Sequence, residues 1–249
     1  MLNDIQVAFF DLDGTLTNSK QIITDKNIEA LKYLKKKNIK IVICTGRWDS
    51  YVINYNKSNI IDYIICNNGA EIYDLNNNKV INGETLDKNT IIKINEYCTS
   101  NNLDLTYNGL LTRYKNNNIN DIIYQGVIIC NKKEEVNKLI EFSNKINTKI
   151  TYISSSYYKN IDTNSYTTNI NLIKTSKGNA IKILLDYLNI DKKNSICFGD
   201  NNNDIEMFLN CGIKVCMKNG IQKLKDIADY ITISNDEDGI AYFINTYIK

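Results

Sequence analysis

Four short apolar runs constrain this chain most. Residues 5–10 (IQVAFF), 39–44 (IKIVIC), 61–66 (IDYIIC) and 195–199 (SICFG) read as buried strands. A strand that is apolar on both faces must be covered on both faces, as in a parallel sheet sandwiched between helices. Helical patterns fall between the runs. Ile28, Leu31 and Leu34 share one face over 25–37, with Asp25 in the first turn. A helix is expected over 48–57. Another starts at 177 with Ile181, Leu184, Leu185 and Leu188 on its apolar face, and a third carries Ile205, Phe208 and Leu209. A strand at IKVCM and a helix over 237–247 complete the alternation. The expected class is α/β, with a Rossmann-like, doubly wound parallel sheet.

The rhythm changes near residue 70. Short strands are expected at AEIYD and KVING, followed by helices at 88–100 and 132–146. Between and after them lie the strand-like pieces LDLTYNG, DIIYQGVIIC, KITYISS and SYTTNINLI. This middle part reads as α+β with antiparallel strands. The simplest organisation is a core built from residues 1–80 and 177–249, with residues 81–176 inserted as a separate layer.

Composition removes whole classes of chemistry. The chain of 249 residues has no histidine, which excludes Ser-His-Asp triads, Cys-His pairs, phosphohistidine chemistry and His-based zinc sites. Its net charge is +2, with scattered lysines, so nothing calls for nucleic acid or an anionic membrane. The seven cysteines form no CxxC pair and read as core residues in a reducing, cytoplasmic setting. Asp4 and the short N-terminal apolar runs give no signal-peptide pattern. No stretch approaches the ~18 apolar residues that span a bilayer.

The polar residues that follow the apolar runs carry the chemistry. Ligands of open parallel sheets bind outside the carboxyl ends of the strands. Asp11 and Asp13 follow the first run; Thr45, Gly46 and Arg47 follow the second; Asn67, Asn68 and Gly69 follow the third. Gly199, Asp200, Asn203 and Asp204 close the fourth. Folding would therefore bring acids, a hydroxyl and amides to one sheet edge. Asp11, Asp13, Asp200 and Asp204 form a hard oxygen cluster, best suited to Mg²⁺ when His and paired Cys are missing. Thr45, the amides after it and a following helix start can hold phosphate oxygens. Lys177 opens a helix after Ser176 and supplies a cation. Carboxylates, Mg²⁺ and lysine together suit phosphoryl transfer.

At these residues the chain resembles the haloacid dehalogenase superfamily of phosphotransferases. DLDGT resembles its first motif, Thr45 in CTGR its second, Lys177 in SKGNA its third and GDNNND (199–204) its fourth. The tail ADYIT…NDEDGIA resembles the Cof-like branch, whose α+β cap lies between the second and third motifs. The resemblance implies roles. Asp11 would attack phosphorus and become an aspartyl-phosphate. Asp13 would protonate the leaving oxygen and then activate water, which calls for apolar or anionic surroundings that keep it protonated near neutral pH. The side chains of Asp11 and Asp200 and the backbone carbonyl of Asp13 would hold Mg²⁺, with Asp204 a further ligand, direct or through water. Thr45 and Lys177 would bind the transferring phosphoryl group, and Gly46, Arg47, Asn68 and Asn203 would line the pocket. The implied enzyme is a phosphatase of small phosphorylated metabolites such as sugar phosphates or phosphorylated cofactors, monomeric or a small homo-oligomer.

Other readings stay open at this stage. A related phosphomutase would return the phosphoryl group to substrate, and a non-catalytic metabolite-binding regulator would use the same pocket. Thr45 has a lesser reading as a helix N-cap, Asp200 to Asp204 as a capping cluster and Lys177 as an exposed helix lysine, while Arg47 reads equally as one half of an ion pair. Tyr107, Arg113, Tyr124, Tyr157, Tyr158 and Lys159 could face a substrate from the inserted layer, but an ordinary surface or packing role is the favoured reading of each, and none is taken as a site residue. Asn169 stands where Cof-like relatives often carry an acid, and Lys174 where they often carry Gly, so the substrate does not carry over from them.

Overall fold

The computed structural model describes residues 4–56, 59–110, 112–115, 122–156 and 165–249, and Tyr157, Tyr158 and Lys159 lie outside that set. Its strands are β1 (Val7–Asp11), β2 (Lys40–Cys44), β3 (Tyr63–Cys66), β4 (Glu71–Asp74), β5 (Lys79–Gly83), β6 (Asp104–Gly109), β7 (Arg113–Lys115), β8 (Ile123–Cys130), β9 (Thr148–Ser156), β10 (Ser165–Leu172), β11 (Ser195–Gly199), β12 (Ile213–Cys216) and β13 (Tyr230–Ile231). They form an eight-stranded sheet, ordered β13-β12-β11-β1-β2-β3-β4-β5, and a five-stranded sheet, ordered β7-β6-β8-β10-β9.

The large sheet is parallel from β13 to β3. Alternation along β1 shows why it needs cover on both sides. Ala8 and Phe10 pack on one face with α1 (Asp25–Lys36), while Val7 and Phe9 pack on the other with α5 (Lys177–Leu188) and α6 (Ile205–Asn210). Burying a side chain such as Phe9 contributes about 1.5–3 kcal/mol. The sheet is not purely parallel, as expected, but mixed. β4 and β5 pair antiparallel and extend this sheet, β5 running past residue 80 to Gly83. The reason is the short link at residues 67–70: a tight turn can only reverse the chain, and a parallel return needs a long crossover.

Two helices also end differently from expectation. The helix predicted over 48–57 is α2, only Asp49–Ile53, because Tyr55 and Asn56 close into i→i+3 turns on Val52 and Ile53. The last one is split: Gly239–Phe243 is α-helical and Ile244–Ile248 is a wider turn.

The small sheet is antiparallel throughout. One face carries the apolar contacts of α3 (Lys88–Ser100) and α4 (Lys133–Lys145), among them Ile94, Leu139, Ile128 and Ile170. The strand period of two then sends Asn108, Gln125 and Asn169 to the opposite face, which looks onto the end of β1. Among the described residues no helix is long and apolar enough to cross a membrane.

Candidate active site

Strand order reverses around β1: the chain proceeds from β1 to β2 and β3 on one side, and from β11 to β12 and β13 on the other. The crevice between β1 and β11 is therefore the switch point at which such sheets bind ligands. Asp11 ends β1, and Asp200 follows β11 directly. Carboxylate oxygens of Asp11, Asp200 and Asp204 lie within 4.8 Å of one another.

Lys177 ties this cluster together. It is the first residue of α5, whose N-cap Ser176 accepts the Asn179 amide at 3.1 Å. Its Nζ donates to Asp11 Oδ1 at 2.5 Å and to Asp204 Oδ1 at 2.6 Å, with no side-chain exposure. Lys177 is thus no exposed helix lysine. The other oxygen of Asp204 accepts the amides of Asp200 and Asn201, both at 3.0 Å, so Asp204 does cap that turn while facing the cluster. Thr15, inside the DLDGT motif, donates to Asp200 Oδ1 at 2.9 Å. The loop of Asn67, Asn68 and Gly69 is left-handed at all three positions, and a Cβ on Gly69 would fall 2.1 Å from the Ser176 carbonyl oxygen. That close approach sets where α5, and hence Lys177, begins.

The electrostatics follow from burying three carboxylates beside one ammonium. Burial pushes Asp11 well up, opposed by Lys177 and reinforced by Asp204 and Asp200. Asp200 rises to about 6, first from burial and then from the Asp204 charge. Burial alone would lower Lys177, but Asp11 and Asp204 outweigh it and hold the ammonium protonated. The excess negative charge and the all-oxygen donor set fit a hard divalent cation. A side chain on Gly14 would reach within 2.6 Å of Asp200 Oδ2, so glycine there leaves that oxygen open.

The remaining candidates are spread around this cluster. Asp13 is exposed and is not among the three clustered acids. Arg47 Nε donates to Asp13 Oδ2 at 2.6 Å, and the Arg47 NH2 group to Oδ1 at 2.7 Å. The apolar or anionic surroundings expected for Asp13 are replaced by this cation. Arg47 also lies over Tyr51, its Cζ 4.2 Å from the ring centroid. Thr45 is buried and does not cap α2, whose N-cap is Trp48; instead Thr45 Oγ1 accepts the Arg47 amide at 3.1 Å. Asp11, Asp13, Thr45, Gly46, Arg47 and Asn203 line one cavity of about 380 Å³. Asn68 and Lys177 line a neighbouring one of about 260 Å³, and Asn203 borders both. Asn203 Nδ2 donates to Asn68 Oδ1 at 3.4 Å, and Asn68 Nδ2 to Thr151 Oγ1 at 3.2 Å.

The roof of the larger cavity comes from the small sheet: Asn108, Gln125, Asn169 and Arg113. Of the inserted-layer candidates, Arg113 lines it, with Cζ 4.9 Å from the Trp48 ring centroid, while Tyr107 and Tyr124 are buried. Sequence reasoning missed Thr15, Trp48, Asn108 and Gln125 as site residues. Thr15 was within reach, since it adjoins the first acids. The amides were not, because strand alternation does not say which face meets a second sheet.

Comparison with known proteins agrees with this geometry. The model of the haloacid dehalogenase-like hydrolases matches residues 8–244. The chain is 28% identical over 260 residues to the putative phosphatase YxeH of Bacillus subtilis (strain 168), covering 96% of each. It is 29% identical over 248 residues to the 5-amino-6-(5-phospho-D-ribitylamino)uracil phosphatase YcsE of the same organism, covering 98% of this chain and 96% of the relative. A haloacid dehalogenase-like hydrolase from B. subtilis superposes with a TM-score of 0.84 at 23% identity, covering 98% of this chain and all of that one. The sugar phosphatase BT4131 gives 0.80 at 22% identity, covering 97% and 98%. The chain belongs to the haloacid dehalogenase-like hydrolases. It is an enzyme of the phosphatase kind within that family, a phosphoric monoester hydrolase.

Proposed function

We propose that this chain is a Mg²⁺-dependent phosphatase of small phosphorylated metabolites, working through an aspartyl-phosphate on Asp11. The observation that carries the reading is the buried Lys177 ammonium, shared between Asp11 and Asp204 with Asp200 alongside. It holds Asp11 Oδ1 in place. Asp11, Asp200, the Asp13 carbonyl and Asp204, direct or through water, would hold Mg²⁺. When bound, the ion neutralises charge and aligns the phosphate oxygens.

The Asp11 carboxylate attacks phosphorus, and the bond from phosphorus to the ester oxygen breaks as Asp13 gives that oxygen a proton. Asp13 then takes a proton from water, the water oxygen attacks phosphorus, and Asp11 leaves as carboxylate with release of inorganic phosphate. Taking up this role requires Asp13 to exchange Arg47 for the leaving oxygen. Thr45 and Lys177 bind the transferring group. Residues 81–176 act as a cap that excludes bulk water and selects the substrate. Their amide-lined wall favours hydroxyl-rich esters, in keeping with the relatives named for a ribityl phosphate and for sugar phosphates. A cytoplasmic setting is supported by seven free, buried cysteines.

The test is phosphate release over a panel of sugar phosphates and phosphorylated cofactors, with Mg²⁺ or with EDTA. Release should require Mg²⁺ and vanish in Asp11→Asn. Release by Asp11→Asn at the wild-type rate, or an isomer in place of free phosphate, overturns the reading.

A further inference from the structure

Besides Asp11, the larger cavity holds one acid, Asp13, against two guanidiniums, Arg47 and Arg113. Arg47 comes from the loop after β2 and Arg113 from β7. Each lies over an aromatic ring at the start of α2. Arg113 Cζ is 4.9 Å from the Trp48 ring centroid, and Arg47 Cζ is 4.2 Å from that of Tyr51. The two rings adjoin, their centroids 5.2 Å apart. Stacking fixes the plane of a guanidinium and leaves the N–H groups on its edge to fork onto an anion. Arg47 already does so, on both oxygens of Asp13. Arg113 donates through its NH2 group to Thr106 Oγ1 at 3.0 Å, and among the described residues it forms no ion pair.

The reaction upsets this balance. Asp13 has to exchange Arg47 for the leaving oxygen, and it carries a proton, hence no charge, when it acts there. Arg47 then lacks an anion, as Arg113 already does. The roof residues Asn108, Gln125 and Asn169 are neutral amides and cannot supply one. The charge left over around the two rings is positive, and a binding site pairs its potential with the opposite one on its ligand.

We propose that the leaving group of the substrate carries a second anion, a carboxylate or a further phosphate, and that Arg113 and Arg47 hold it. The anion replaces Asp13 on Arg47, so binding of the right ester frees the acid for the leaving oxygen. An ester with a neutral leaving group leaves Arg47 on Asp13. Arg113 is then the residue that selects the substrate class, and the roof amides receive its hydroxyls. The acid role of Asp13 rests on the phosphatase reading; the anion site itself does not.

Three esters test it. Sorbitol 6-phosphate, 6-phosphogluconate and sorbitol 1,6-bisphosphate differ only at the far carbon, which bears a hydroxyl, a carboxylate or a phosphate. With Mg²⁺ and the full chain, kcat/KM for at least one ester with a second anion should exceed that for sorbitol 6-phosphate on the order of tenfold to a hundredfold, as for one charge-assisted hydrogen bond. Which of the two is favoured distinguishes carboxylate from phosphate. The ratio should collapse in Arg113→Met and fall in Arg47→Met, while Arg113→Lys keeps part of it. A residue that merely held the small sheet against Trp48 would lower all three esters alike and leave the ratio intact. Binding is read apart from turnover in Mg²⁺-loaded Asp11→Asn, by the fluorescence of Trp48, the chain's single tryptophan, which lies under Arg113. The favoured ester should bind more tightly than sorbitol 6-phosphate by a similar factor, and adding Arg113→Met should remove the preference. Equal kcat/KM for all three esters, equal or absent binding, or a preference that survives Arg113→Met overturns the proposal. If wild type releases phosphate from no ester, the phosphatase reading falls instead, and the titration alone decides the anion site.

Discussion

Lys177 has no water to turn to: its ammonium is enclosed by the carboxylates it neutralises. Removing one partner of a buried ion pair costs about 3–5 kcal/mol, because the other charge stays buried and unpaired. Lys177→Ala should therefore lose about that much in urea unfolding in EDTA, and lose phosphate release as well. Unchanged stability would mean the cluster is wetter than described. Asp200 gives a pH signature of known sign. Folding raises it from 3.8 to about 6, so between those values the folded chain binds more protons than the unfolded one. Metal-free stability due to Asp200 should thus fall as pH rises from about 4 to about 6, by on the order of 3 kcal/mol, and stay low above that. The difference between wild type and Asp200→Asn across that range in EDTA isolates the effect, and Mg²⁺ should remove it. At this scale the sequence showed Asp11, Thr45, Lys177 and Asp200 because each opens or follows an element. It could not show that Asp13 would meet Arg47, since that pair depends on how the loops after β1 and β2 lean together.

Elements deliver these residues, and the delivery depends on a few backbone positions. Gly69 is left-handed at φ 98° and abuts the Ser176 carbonyl, which belongs to the cap of α5. Gly69→Ala should cost at least about 1–3 kcal/mol in backbone strain. It should also push the start of α5 away from Asp11, lowering kcat more than it raises KM in steady-state kinetics. An intact kcat would show that the helix start does not set the Lys177 position. Elements with strong periodicity were the legible ones: the helix expected at 88–100 is Lys88–Ser100, and the strand at 195–199 is Ser195–Gly199. α2 was not, because Tyr55 leaves the helix to donate its hydroxyl to the Gln21 carbonyl, a contact across 34 positions. The antiparallel pairing of β4 and β5 was not legible for a similar reason. Their apolar pattern fits either sheet, and only the tight turn after β3 decides which one they extend.

Across the whole molecule, Asn171 of β10 joins the two sheets. Its Nδ2 donates to the carbonyls of Asn67 and Tyr124, both at 3.0 Å, and its Oδ1 accepts from Gln125 and Thr151. Asn171→Ala removes a buried donor from both carbonyls, and the Asn67 carbonyl keeps only the Ala70 amide at 3.3 Å, a loss of about 1–3 kcal/mol where a carbonyl is left unpaired. Amide exchange over residues 67–71 should quicken, and KM should rise as the roof amides lose their register; unchanged exchange there would assign the link between the sheets elsewhere. What the sequence determined by itself was the α/β class, the family motifs and which residues follow each apolar run, because burial on both faces and strand periodicity are local properties of the chain. Only the tertiary structure decided that Lys177 is enclosed, that Asp13 is held by a guanidinium and that amides roof the cavity. Those are contacts between distant segments, and their energies depend on distance and burial, which no local pattern encodes.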